Sequence, residues 1–356
     1  MHTNPESQDA IISKAIDITE ITNCNKIIWA NFSSTLGEMR DVQGDDGKSS
    51  ILWGFCQILN EVTTSPIFKP FKNLKKCFGD DDGIQGFLDF DGNLYYLNLN
   101  SNQEEIIDSN LTTKFIDIAQ FWTGKDVIGI TEDGKLMKWN LRNNSTPEEI
   151  IIQSDEEGDE VIEKFFINVA CGENHCLALT RDGEVFSWGS GRYGQLGHGN
   201  LNSLDKSDKP KVIEFLQGLK ITSIACGAWH SAVISDSGDL YTFGWNNLGR
   251  LGISPPGNNN GNNENTLNSA EPSLVEFQGD CDDDFINVVK VACGSAHTVV
   301  LTDDNNLLTC GWGKYGQQGQ GPENLSENYS FTSVIEGKKV IDCYCGRWNT
   351  FAIVLE

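Results

Sequence analysis

Long hydrophobic runs are missing from this sequence of 356 residues: none approaches the roughly 18 apolar residues that a membrane-spanning helix needs, so no such anchor is predicted. Basic side chains are scarce as well. Against 51 aspartates and glutamates stand 26 lysines and arginines, a formal net charge of -25, which opposes the phosphate neutralisation on which nucleic-acid affinity rests. Direct nucleic-acid binding is therefore set aside. A basic partner, such as a histone tail or a Lys/Arg-rich loop, would be drawn to such a surface; plain solubility is the other use of the charge. Nothing at Met1–Ser7 has the make-up of a signal peptide, so the 11 cysteines are expected to be reduced and the protein to be cytosolic or nuclear. A P-loop, a Ser-His-Asp set and a distinctive carboxylate pair are all missing too, so neither an enzyme nor a cofactor is implied.

What is plentiful is glycine, at 36 residues, and aromatics at 10%, a composition that suits short strands joined by tight turns. An internal repeat organises them. One copy runs Val169-Ala170-Cys171-Gly172-Glu173-Asn174-His175, then Asp182-Gly183, then Val185-Phe186-Ser187-Trp188-Gly189. A second places Cys226, Gly227 and His230 before Ser237-Gly238 and Phe243-Gly244, and a third places Cys293, Gly294 and His297 before Cys310-Gly311. The apolar stretches before Cys and after His read as two strands, and the Asp-Gly turn as a hairpin into a third. A small sheet of this kind cannot bury both faces alone, so the units must stack, and radial closure into a β-propeller leaves few open edges.

Weaker copies extend toward the N-terminus, through Phe115–Ala119 with Asp133-Gly134 and Trp139, and through Leu74–Leu97 with Asp91-Gly92. Trp53, Leu97, Trp139, Trp188, Phe243 and Cys310 hold equivalent positions, so six to seven blades are expected. The chain ends half-way through a unit, at Cys345-Gly346-Arg347-Trp348-Asn349 and Phe351–Leu355. The missing half is expected near residues 46–57, where Asp46-Gly47 precedes Ile51–Cys56; pairing there with the C-terminal strands would close the ring. Residues 46–356 are thus read as one propeller. Residues 1–45 are left as an extension or a degenerate blade around Ile16–Asn31. An Asn/Asp-rich loop is expected at about 253–285, including Pro255–Asn268 and Asp280–Asp284, and the acidic run Asp155–Glu160 as a second loop.

The order Cys-Gly-x-x-His, Asp-Gly, Trp-Gly-x-Gly-x-x-Gly-Gln-Leu-Gly resembles the regulator of chromosome condensation repeat family, clearly over residues 167–356 and in outline over 46–140. The resemblance implies an all-β propeller that acts by protein contact. The stretches Gly189–Gly199, Gly244-Trp245-Asn246, Gly311–Gln317 and Cys345–Thr350 look most like one branch of the family. That likeness implies a nuclear partnership with a Jumonji-C, 2-oxoglutarate-dependent oxygenase, linked to histone methylation and chromosome segregation. Guanine-nucleotide exchange on a small Ran-like GTPase is the rival function that the same family implies. A monomeric ring is expected in either case.

Two motifs invite other chemistry. Gly189-x-Gly191-x-x-Gly194 and Gly311-x-Gly313-x-x-Gly316 spell a dinucleotide fingerprint, but turn residues follow where a helix should start, so these glycines are read as loop scaffold. Cys171/His175, Cys226/His230 and Cys293/His297 hold metal-ligand types four apart. They recur once per blade and so point around a ring instead of converging. With Gly172, Gly227 and Gly294 they are read as structure: Cys as a small hydrophobe, Gly for close backbone approach, His bonded to the neighbouring turn.

Function is expected instead where the copies differ. Trp229 precedes His230 where the other copies have Asn174 and Ala296, and Trp348 fills the same slot in the last unit. Trp245 and Trp312 follow the blade-exit glycine, where Ser190 stands elsewhere. With Arg192, Tyr193, Lys314, Tyr315 and Arg347 beside them, these residues are the candidate partner-binding set, on one rim of the ring. The competing reading is that each Trp fills a gap between blades.

Overall fold

In the computed structural model, the described residues are 24–30, 35–39, 49–56, 61–63, 71–72, 74–80, 83–98, 105–108, 111–124, 126–141, 146–153, 161–201, 207–253, 268–277, 286–320, 326–335, 337 and 339–355. Among them the secondary structure is β-strand apart from one short 3-10 turn at Glu214–Leu216. These described strands form seven antiparallel sheets that follow one another along the chain.

The repeat explains each sheet. In the clearest blade, strands Phe166–Cys171, His175–Thr180, Val185–Gly189 and Ser207–Val212 pair in chain order. The same plan holds from Ile221–Cys226 to Asn268–Leu274, and from Val288–Cys293 to Glu327–Ser333. The second strands His175–Thr180, His230–Ser235 and His297–Thr302 are buried at every position, which requires a neighbour on both faces. Accordingly the apolar clusters lie between blades. Ile128, Ile130 and Leu136 of one pack with Phe166, Val169 and Trp188 of the next, and Leu179 and Val185 pack with Ile224, Val233 and Phe243. The first strands of successive blades adjoin, which makes them the innermost.

Two sets of backbone hydrogen bonds tie neighbouring blades. At one end the turn between the second and third strands gives a carbonyl to the first residue of the next blade. Phe115, Phe166, Ile221 and Val288 N–H groups donate to Gly92, Gly134, Gly183 and Gly238 oxygens at 2.9–3.0 Å. At the other end the loops between first and second strands join in series, with Trp122 N–H on Gly172 O, Glu173 on Ala228, Ala228 on Gly294 and Ser295 on Arg347.

Two expectations are refined. Asn268–Leu274 is the fourth strand of its blade, paired with Leu240–Trp245, so it divides the stretch 253–285 read as a single loop. Its Asn-Ser-Ala-Glu-Pro-Ser-Leu sequence, half exposed on an outer edge, carries no apolar alternation by which to recognise it. Toward the N-terminus, Cys24–Ala30, Thr35–Met39 and Ser49–Cys56 form consecutive antiparallel strands. The expected pairing of the C-terminal strands with residues 46–57 is not among the described ladders. Lys339–Cys345 and Thr350–Leu355 pair with each other, and Cys24–Ala30 lies beside both that hairpin and Leu74–Asp80. Residues 1–23, 46–47, 155–160, 254–267 and 280–284, named above, lie outside the described set.

Candidate protein-interaction rim

The partner-binding candidates occupy two kinds of loop. Trp229, Arg347 and Trp348 lie between first and second strands; Trp245 and Trp312 end third strands, and Arg192, Tyr193, Lys314 and Tyr315 follow them. Because consecutive strands are antiparallel, both loops emerge at the same end of each blade. All nine residues share one rim, and the Trp245 N–H donates to Trp229 O at 2.9 Å.

On that rim they form two clusters built across blade boundaries. Tyr193 reaches the next blade, stacking on Trp245 at 4.8 Å and 15° and meeting Trp229 edge-on at 5.4 Å. Tyr315 and Trp312 likewise meet Trp348 of the closing hairpin at 6.1 and 5.6 Å. The tryptophans are half-buried, while Arg192 and Lys314 are exposed beside them. Interdigitation and contact surface are thus both served by the same rings. Trp312, Lys314, Ser326, Glu327 and Tyr329 line an open recess of about 460 Å³.

Arg347 is placed otherwise than as a free anchor. From the closing hairpin it spans to the loops of two other blades, pairing with Glu173 at 2.8 Å and lying 5.1 Å from the Trp122 ring. Both partners of the ion pair are only 16% exposed. Since these loops surround the axis, the pair braces the rim across it.

The histidines underpin the rim. His175, His230 and His297 are fully buried, and their Nε2 atoms lie 2.9–3.1 Å from the hydroxyls of Ser231, Thr298 and Thr350. Each hydroxyl donates its only proton to a carbonyl, of Gln195, Arg250 and Gln317 respectively, at 2.6–2.8 Å. The hydroxyl must therefore accept from the imidazole, which fixes the Nε2–H tautomer. The chain His to hydroxyl to carbonyl joins the second strand of one blade, the second strand of the next, and the exit loop that carries the rim aromatics. The expected bond to a neighbouring turn is thus replaced by one to a neighbouring strand. The reason is geometric: the residue after each His faces the preceding blade.

The Nδ1 atoms of all three have no partner. Burial lowers His175 and His297 to about 4 and holds His230 well below its usual range, with the Arg250 charge adding to the effect on His230. Burial also pushes the Cys226 thiol well up and Cys293 up to about 12, which suits packing and not nucleophilic attack. Cys171 is buried with its sulfur 3.2 Å from that of Cys176. Among the described residues no three of His, Cys, Asp and Glu converge as metal ligands would.

The glycines between Cys and His are steric necessities. A Cβ on Gly227 would lie 2.1 Å from His230 Cε1 and 2.6 Å from Gly294 O, and Gly172 and Gly294 are equally crowded by His175 and His297. In the exit loop Gly194 has φ +86°, the left-handed turn geometry expected in place of a nucleotide-binding helix start.

Arg250 was missed. It stands where Gln195 and Gln317 stand in the sister loops, and that departure was the available signal. Almost wholly buried, it donates to Ser295 O at 2.8 Å and Asn247 Oδ1 at 2.9 Å and lies 4.6 Å from the Trp245 ring. Burial lowers it to about 10.

Comparison with known proteins agrees with this architecture. The human and mouse RCC1 domain-containing protein 1 are 36% and 35% identical over 214 and 211 residues; the chain spans about half the length of each, 55% and 54%, using 52% of its own. The human E3 ubiquitin-protein ligase HERC2 is 39% identical over 202 residues, which are 55% of the chain and 4% of that protein. Among solved structures, Prp20p from Saccharomyces cerevisiae, described with its binding to Gsp1p and histones, superposes with a TM-score of 0.68 at 19% identity. That match covers 91% of this chain and 80% of Prp20p. Residues 82–356 match the family model described as RCC1-like domain, and the chain belongs to that family.

Proposed function

We propose that this propeller is a non-catalytic platform whose aromatic rim holds a protein partner, and that the partner is a nuclear Jumonji-C oxygenase. The rim carries the reading. Two clusters of Trp and Tyr, each edged by an exposed Arg or Lys, sit on one face of a rigid ring, and these are the residue types that most often dominate binding energy. The likeness to RCC1 domain-containing protein 1 over half its length supports the choice of branch. In this reading the platform works in chromatin regulation and chromosome segregation, with no cofactor of its own.

The test is affinity purification from nuclear extract followed by mass spectrometry, using the natural chain and a Trp245→Ala/Trp312→Ala variant whose fold is verified by circular dichroism. Recovery of an oxygenase by the first and its loss from the second is the expected result. Undiminished recovery by the variant removes the rim. Recovery of a Ran-like GTPase, with accelerated nucleotide release on mixing, reassigns the platform to nucleotide exchange.

A further inference from the structure

The face opposite the aromatic rim has its own chemistry. There the turns between second and third strands abut the starts of the next blade's first strand, through the glycine-carbonyl bonds described above. The second residue of each first strand therefore stands beside a turn, on the innermost strand of the ring. Ile167 and Val289 hold this position, and Ile341 holds the corresponding one after Val340, whose N–H donates to Asn305 O; they are 40%, 54% and 43% exposed, and in the blade between the first two Thr222 stands there. Ile167, Val289 and Ile341 are each the bulged residue of an innermost strand, so the three form part of an apolar collar around the mouth of the axis. The turns above the collar are acidic, with Glu132, Asp182, Asp236 and Asp303 all exposed.

Several of the cations nearby are occupied, while Lys220 and Lys339, at the starts of two first strands, are exposed. Lys76 pairs with Asp117 at 2.7 Å, Lys164 with Glu184 at 2.5 Å, Lys135 with Glu149 at 3.3 Å and Lys290 with Asp342. Arg181 lies 3.5 Å from the Phe165 ring. With Asp133 and Asp304 beside them, the exposed turn carboxylates outnumber the exposed cations Arg181, Lys220 and Lys339 around the apolar mouth. At the rim end the same axis is braced by Arg347 and Glu173.

We propose that this face is a second docking surface, for a Lys/Arg-rich segment of a partner protein that seats one apolar side chain in the collar. Charge complementarity selects the occupant: the acidic turns attract cationic residues and repel nucleic acid, while the collar distinguishes a basic peptide with an apolar anchor from a merely basic one.

Fluorescence anisotropy tests it with a short fluorescein-labelled Lys/Arg-rich peptide bearing a central leucine, the same peptide with serine in its place, and a Glu-rich control. Binding of the leucine peptide that weakens with added salt is expected, with the serine peptide about tenfold weaker, as follows from losing one buried aliphatic side chain. Ile167→Ser/Val289→Ser should lower affinity for the leucine peptide to that of the serine peptide. Both positions face solvent, so folding should survive, and a thermal melt verifies it. Trp245→Ala should retain binding, which separates this surface from the aromatic rim. Equal binding of leucine and serine peptides, insensitivity to the collar substitutions, loss of binding in Trp245→Ala, or a dimer in sedimentation that the collar substitutions dissociate would each overturn the proposal.

Discussion

Mild acid should destabilise this propeller through its buried histidines. In the folded ring His175 and His297 are held at about 4 by burial, against about 6.5 in an unfolded chain. Between those values the unfolded state binds more protons, so stability is complete above the unfolded value and declines as pH falls toward 4. At about pH 5.5 an unfolded imidazole is mostly protonated and a folded one is not, which costs about 1.4 kcal/mol per histidine and about 3 kcal/mol for the two. His230 acts in the same direction. Typical domains have only about 5–15 kcal/mol to lose, and ordinary carboxylates remain ionised at that pH. Urea unfolding at neutral pH and near pH 5.5 measures the difference. His297→Gln should start from a lower stability and show a pH dependence shallower by about 1.4 kcal/mol. An unchanged dependence in that variant, or a natural chain no less stable at the lower pH, would refute the assignment of neutral Nε2–H imidazoles. Nitrogen NMR shifts of the three rings give an independent check of the tautomer.

Other outcomes follow from single contacts. Gly227→Ala forces a methyl against His230 and a neighbouring backbone oxygen, and should cost about 3 kcal/mol or more in a urea titration, in the range of severe overpacking. Arg250→Gln places in this loop the residue its sisters use and removes a buried cation. It should be neutral or stabilising by up to about 2 kcal/mol, whereas Arg250→Ala, which leaves Ser295 O and Asn247 without their donor, should destabilise. Glu173→Gln loosens the brace from Arg347 and should cost about 1 kcal/mol, with faster amide exchange in the surrounding loops as the more sensitive readout.

Much of this molecule is legible in its sequence because its constraints are local and repeated. A glycine that cannot carry a Cβ and a histidine four residues after a cysteine recur in every clear copy, with a left-handed turn residue before the third strand that is Gly183, Gly238 or Asn305. Each copy builds the same small sheet, and a row of such sheets covers both faces of each by stacking neighbours against it. The rim location of Trp229, Trp245, Trp312 and Trp348 follows from that periodicity alone. The outer strand Asn268–Leu274 was hidden, because an exposed edge strand needs no apolar alternation.

Contacts between copies were left for the tertiary structure to decide. Sequence equivalence related Trp229 to Trp348 and Trp245 to Trp312, but the blade boundary set Tyr193 against the first cluster and Tyr315 with the second. Arg347 reads as a surface anchor in the sequence, whereas in the fold it reaches from the C-terminal hairpin to Glu173 of another blade. The histidine partners lie about a full repeat away in the chain, and the two faces of the ring, one aromatic and one acidic around an apolar collar, interleave along it. Periodicity specifies what each unit presents at either end; only stacking the units decides which side chains then meet.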